Sequence, residues 1–158
     1  MAKKDSNFAE VLKERILVLD GAMGTMIQKY ELEESDFRGE IFTNHKSDLK
    51  GNNDILCLTK KQLITEIHEK YLESGCDIIE TNTFNANRIS QADYNAEQYC
   101  FELNKAAAKL AKEACEKYST KYKPRFVAGA LGPTNKTLSI SPKVEDPGFR
   151  DISFDEMK

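Results

Sequence analysis

The sequence predicts an α/β fold with a parallel sheet, and three features predict it. Three short runs, 15–21, 76–84 and 124–135, are apolar at successive positions, as strands buried on both faces are. Amphipathic helical stretches separate them, and each run ends in polar or glycine-rich residues. Right-handed crossovers turn this strand–helix order into parallel strands with helices packed outside. Two architectures share the order, a (β/α)8 barrel and a small doubly wound sheet, and three strands are too few for either. The 158 residues therefore read as the first part, about three βα units, of one larger α/β domain.

The elements follow in order. "RILVLDG" (15–21) is the first strand, closed by Asp20 and Gly21. "AMGTMIQKY" allows a helical turn or two, and the polar stretch 31–54 reads as a long irregular connection. Long ordered loops in small domains usually carry function. A helix starts at Thr59, expected to form a capping box with Gln62. Leu63, Ile64, Ile67, Tyr71 and Leu72 form its apolar stripe, and Gly75 ends it. "CDIIETNTF" (76–84) is the second strand. A longer helix spans about 94–118, with Ala96, Tyr99, Cys100, Leu103, Ala107, Leu110, Ala111 and Ala114 on one face. Its alanines allow close approach to a sheet. "PRFVAGALGPTN" (124–135) is the third strand, and prolines 142 and 147 punctuate the loop beyond. "ISFDEMK" (152–158) opens a last helix, with Ser153 and Glu156 as a capping box.

With 23 basic and 26 acidic residues the net charge is −3, so no field draws the chain to nucleic acid or an anionic membrane. The first fifteen residues lack the apolar core of a signal peptide, and no later segment is long enough to span a bilayer. Cys57, Cys76, Cys100 and Cys115 are widely spaced without a C-x-x-C. That pattern fits buried, reduced thiols of a cytoplasmic protein better than disulfides or a self-contained zinc site. His45 and His68 have no partner at ligand spacing and read as surface or structural residues.

In parallel α/β folds the chemistry gathers at the carboxyl ends of the strands. Here those ends are "DGAMGT" (20–25), "ETNTF" (80–84) and "GALGPTN" (129–135). Asp20 follows four apolar residues. Three roles are open to it: holding an ammonium group, acting as a base, or capping the turn after it. Gly21 and Gly24 leave backbone N–H groups free for a carboxylate or phosphate. Glu80 follows Ile78 and Ile79, so it must be paired, protonated or facing a wet cavity. Asn82 and Thr83 add neutral donors and acceptors. No nucleophile elbow and no Cys–His arrangement appears, so no catalytic residue is assigned.

Four stretches, "ERILVLDGAMGTMIQKY", "DLKGNND", "GCDIIETNTFN" and "VAGALGPTNKTLSISP", together resemble the N-terminal homocysteine-binding domain of cobalamin-dependent methionine synthase. The resemblance runs from about Val11 to Lys158. It implies a (β/α)8 barrel that binds homocysteine and zinc and passes the thiolate to methylcobalamin on a later domain, with a second barrel supplying methyltetrahydrofolate. The chemical obstacle is a thiol of pKa about 8.5, only a few per cent ionised at neutral pH. Zinc removes that proton.

By that resemblance Asp20 suits the ammonium of homocysteine, and the backbone of Gly21, Ala22, Gly24 and Thr25 its carboxylate. Glu80 and Asn82 shape the same pocket, with Thr134 and Asn135 in the third loop. The family's zinc ligands are three cysteines, two of them adjacent, late in the barrel. This chain has no such pair, so none of its four cysteines is assigned to metal and no cofactor is expected in the 158 residues alone, which are expected to be inactive. Two other readings stand beside this one. The first is a stand-alone, cobalamin-independent homocysteine S-methyltransferase using betaine, S-methylmethionine or S-adenosylmethionine. The second is a non-catalytic partial barrel that self-associates through its open strand edges.

Overall fold

The computed structural model describes residues 8–158. Residues 1–7, part of the segment read above as lacking a signal peptide, lie outside the described residues. The first element is α1 (Phe8–Glu14), a helix the sequence reading did not foresee. Its Phe8 ring meets Phe126 edge-on at 5.0 Å.

Residues 17–20 are extended. Leu19 bridges Ile78 in parallel, the Asp77 and Ile78 N–H groups donate to the Val18 carbonyl at 2.7 and 3.1 Å, and the Asp20 N–H donates to the Ile78 carbonyl at 2.9 Å. The expected first strand is thus a short paired segment. Next come α2 (Met23–Gln28), α3 (Glu34–Arg38), a 3-10 turn at Asn53–Ile55, α4 (Leu56–Thr59) and α5 (Lys61–Glu73). The second strand, β1 (Ile78–Glu80), lies between the 17–20 segment and β2 (Phe126–Ala128). β1 and β2 are parallel, with Ile78 opposite Phe126 and Glu80 opposite Ala128. Between them run α6 (Arg88–Gln91) and α7 (Cys100–Tyr118), and α8 (Phe154–Met157) comes last. The molecule is α/β with a small parallel sheet. No described helix is long and apolar enough to cross a membrane.

Several boundaries differ from expectation for physical reasons. The Thr59–Gln62 capping box does not form. Thr59 is already helical in α4, its hydroxyl donates to the Ile55 carbonyl at 3.4 Å, and Gln62 donates to Glu66. An N-cap needs extended backbone, so α5 starts after Lys60 instead. The helix expected from 94 begins at Cys100, because Asn95 is left-handed (φ 51°) and separates two 3-10 turns. The second and third strands shrink to three residues each, and the first to the single Leu19–Ile78 bridge. At Gly75 the backbone is left-handed (φ 103°), which favours glycine and ends α5 as expected. The Ser153–Glu156 capping box is present.

Apart from α3 and the turn at its end, the stretch 31–54 has no regular structure, as expected, but it is packed. Phe37, Phe42 and Leu49 are buried and, with Ile55 and Leu56 just after it, join Ile64, Ile67, Leu103 and Ala107 in the main core. Polar groups of this stretch are paired internally: Glu34 accepts the Leu49 and Lys50 N–H groups, and Arg38 donates to the His45 and Ser47 carbonyls. A smaller core of Leu72, Cys76, Ile79, Ala111, Ala114 and Cys115 seals α5 and α7 onto the sheet. At the other end of the strands, Arg15 donates two hydrogen bonds of 2.8 Å to Asp77, which also accepts the Val18 N–H. That guanidinium holds Asp77 down at about 2.

Candidate functional site

A cleft of about 440 Å³ lies at the carboxyl ends of the 17–20 segment and β1, walled by the 20–24 turn, the 51–54 turn, residues 80–85 and Ala130. It gathers Asp20, Gly21, Ala22, Gly24, Glu80 and Asn82 from the sequence-predicted set. Thr25, Thr134 and Asn135 do not line it. Thr134 donates to the Lys136 carbonyl and Asn135 to Asp93, so the third loop turns its polar side chains elsewhere. A second cavity, about 410 Å³, lies between residues 40–46 and 95–99, away from every strand end. His45 sits there, its Nε2 2.8 Å from the Tyr94 carbonyl. His68 is fully buried, with neither ring nitrogen partnered, and burial lowers it to about 4.

Asp20 is the hinge between strand and cleft. Its Oδ2 accepts the Glu80 N–H at 3.1 Å, and its Oδ1 has no partner. Burial pushes Asp20 up to about 6, against the Glu80 amide and with the Glu80 charge. Glu80 is exposed and faces the cleft, the wet alternative of the three expected for it. Tyr71 holds the 20–24 turn by donating to the Ala22 carbonyl at 3.3 Å.

Asn82 is less free than its sequence position implies. Its Nδ2 donates to the Asn53 carbonyl at 2.8 Å and approaches Cys57 Sγ at 3.5 Å. Cys57 is buried, and burial pushes its thiol up to about 12. Thr81 and Thr83 tie down the third loop: the Ala130 N–H donates to Thr81 Oγ1 at 3.0 Å, and Thr83 Oγ1 donates to the Ala130 carbonyl at 2.7 Å. At Gly132 the loop passes so close to Phe84 that a Cβ would stand 2.4 Å from its carbonyl oxygen. No other residue fits there without a shift.

Asp54 is the cleft residue that the sequence reading passed over. It is buried, 3% exposed, and its Oδ1 accepts the Asn85 N–H at 2.9 Å. Burial pushes it up to about 6, against that amide. The signal was "GNND", a polar run flanked by the apolar "ILCL", which marks an acid about to be buried. Asp20, Asp54 and Glu80 give the cleft three carboxylates, and no Lys, Arg or His lines it among the described residues. Such a lining favours a ligand bearing an ammonium group.

The donors present do not fit a zinc site. Among the described residues no three His, Cys, Asp or Glu side chains are grouped to hold a metal ion. The four cysteines are free, and Cys76 and Cys115 sit together in the smaller core.

A parallel α/β chain with a polar cleft where its strands end has, as a class, the layout in which βα loops carry the chemistry. Residues 17–158 match the model of the homocysteine S-methyltransferase family, and the chain belongs to that family. Its fold is similar to that of homocysteine methyltransferase MmuM from Escherichia coli. The metallated form aligns with a TM-score of 0.60 at 22% identity, over 78% of this chain and 40% of that one. The oxidized form gives 0.59 at 24%, over 78% and 39%. The chain thus spans about two fifths of the length of those structures; at these identities the likeness concerns fold alone.

Proposed function

We propose that this chain is the N-terminal, homocysteine-binding part of a (β/α)8 barrel in a cobalamin-dependent methionine synthase, a domain that continues beyond residue 158. The observation that carries the homocysteine assignment is the cleft with three carboxylates and no basic side chain, in a chain of the homocysteine S-methyltransferase family. Asp20 and Glu80 take the ligand's ammonium, and the Gly21–Gly24 backbone, which lines the cleft, its carboxylate. The barrel assignment draws support from the sheet, in which β1 has a partner on each side and the segments flanking it have one each among the described residues. It draws support too from the share of the solved neighbours that the chain spans.

Zinc, methylcobalamin and methyltetrahydrofolate belong, on this reading, to parts of the parent protein outside these residues. The isolated chain accordingly transfers no methyl group and self-associates through its open edges. The parent works in the cytoplasm, in keeping with four free cysteines.

The test of the cleft is titration of L-homocysteine into the chain, followed by calorimetry and by amide NMR shifts at residues 20–25 and 80–85. Removing a charge that pairs with a bound ammonium weakens binding by roughly 30-fold, about 2 kcal/mol, and this is expected for Asp20→Asn. Asp20 stands at about 6 in the free cleft, and a bound ammonium pulls it down, so a proton leaves on binding. Affinity is therefore full above that pH and falls by up to about tenfold per pH unit below it. Equal affinity of Asp20→Asn and wild type would remove the assignment. The donor is tested on the parent protein: methionine formed only with methylcobalamin supports the reading. Methionine formed from S-methylmethionine, betaine or S-adenosylmethionine without cobalamin would replace it.

A further inference from the structure

The 51–54 turn and the loop after β1 are joined by polar side chains that are almost wholly buried. Asn52 and Gln91, 2% and 0% exposed, exchange amide hydrogen bonds of 2.8 and 3.1 Å. Gln91 Nε2 also donates to the Asn85 carbonyl at 3.1 Å. Asp54 Oδ1 accepts the Asn85 N–H at 2.9 Å, and Asn82 Nδ2 donates to the Asn53 carbonyl at 2.8 Å. All but the Gln91–Asn85 bond cross from one turn to the other. Both turns wall the cleft.

Asp54 is the unusual member of this clasp. A buried carboxylate is normally matched by a cation, and Asp54 has none among the described residues; backbone amides, that of Asn85 and its own, take that place. It is also far more enclosed than its neighbours, at 3% exposure against an exposed Glu80 and a half-buried Asp20. A group so enclosed adds to the negative field of the cleft but is poorly placed to touch a ligand's ammonium itself. It is well placed to hold the Asn85 amide, and with it Phe84, a residue 57% exposed that lines the cleft. The same wall is held from behind by the Gly132 N–H, which donates to the Phe84 carbonyl at 3.1 Å.

We propose that Asp54 is a positioning residue: through the Asn85 amide it fixes the Phe84–Asn85 wall against which the uncharged part of the ligand lies. The role rests on the reading of the cleft as an amino-acid site, but the clasp itself does not. What matters is an acceptor oxygen at that place rather than a negative charge, so asparagine should substitute and alanine should not.

The experiment compares wild type, Asp54→Asn and Asp54→Ala in two measurements, hydrogen exchange of the Asn85 amide by NMR and affinity for L-homocysteine by calorimetry. Loss of the acceptor leaves a buried N–H unpaired, which gives about a tenfold change or more. Asp54→Ala is expected to speed exchange and weaken binding by that factor, with Asp54→Asn within about threefold of wild type in both. Equal losses in the two variants would assign Asp54 a charge role and overturn the proposal, and so would no loss in either. A wild-type chain that binds no homocysteine defeats the amino-acid reading, while the exchange rates still decide the clasp. A third readout covers an alanine variant that does not fold. The wild-type Asn85 amide proton shift is expected to titrate with Asp54 and to stop doing so in Asp54→Asn; an unmoved shift in wild type overturns the clasp.

Discussion

Residues 27–118 and the open side of the sheet follow opposite rules of burial. In the first region Leu49, Ile55, Leu56, Ile64, Ile67 and Leu103 are all at 0% exposure, held between α4, α5 and α7. In the second, Leu19 is 48% exposed, and Leu131, in the chain that leaves the sheet, is 88% exposed. The two regions meet along β1, where Ile79 is fully buried by the helices that cover it. Leu19, Ile78 and Phe126 stand side by side across the sheet, and none of them is buried. Apolar sequence alone therefore does not make a core here. It makes one only where α5, α7 and the 31–59 stretch supply the second layer.

The largest effect follows directly. Leu103→Ala deletes a side chain with no exposure and is expected to cost about 2–5 kcal/mol in urea unfolding. Leu131→Ala, at 88% exposure, should stay within about 0.5 kcal/mol. A loss at Leu131 comparable to that at Leu103 would show that the open region is packed in solution and would dissolve the contrast.

The sequence made some of this legible and hid the rest. The α7 stripe repeats at helical period, so Leu103, Ala107, Ala111 and Ala114 were identifiable as its buried face. Gly75 and the Ser153–Glu156 pair carry their own stereochemistry. By contrast Phe37 and Ile55 sit in helical elements of five and three residues, and Phe42 and Leu49 in no helix or strand, so none of them shows a period. Their contribution to the core is decided by tertiary contact. In the site, Asp20 and Glu80 stood out because carboxylates directly after apolar runs are conspicuous. Asp54 did not, since its burial comes from a turn folding against a loop thirty residues later. Asn82 looked like a free amide because nothing in "ETNTF" reveals the Asn53 carbonyl that occupies it.

The next effect concerns the contact that joins the open 17–20 segment to the packed region. Asp77 is 2% exposed and carries the Arg15 pair and the Val18 N–H. Asp77→Asn is expected to lose about 2 kcal/mol of stability, since the shift from an ordinary carboxylate to about 2 corresponds to roughly that energy. The sign is fixed by the direction of the shift. A depressed carboxylate stabilises fully above its unfolded value near 4, and the contribution disappears as pH falls toward 2. Wild type should therefore lose this increment between about pH 4 and pH 2, while Asp77→Asn shows no such step. A step of equal size in both proteins would mean that the first segment is held by its backbone pairing alone.

The smallest effect tests the other seam, where the chain after β2 touches the packed region. Asn135 Nδ2 donates to Asp93 Oδ2 at 2.7 Å, between exposed side chains. A surface hydrogen bond of that kind, although charge-assisted, competes with water and contributes about 0.5–1 kcal/mol. The double-mutant cycle of Asn135→Ala and Asp93→Ala reads the coupling free of each residue's other contacts. A coupling within that range would place Asn135 as a fastener of the third loop. A coupling near zero would leave the loop attached only by Ala130 and Gly132, where Thr81, Thr83 and the Phe84 carbonyl already grip its backbone. The third strand end would then meet the packed region through main chain alone, and the boundary between the two regions would run between Gly132 and Asn135.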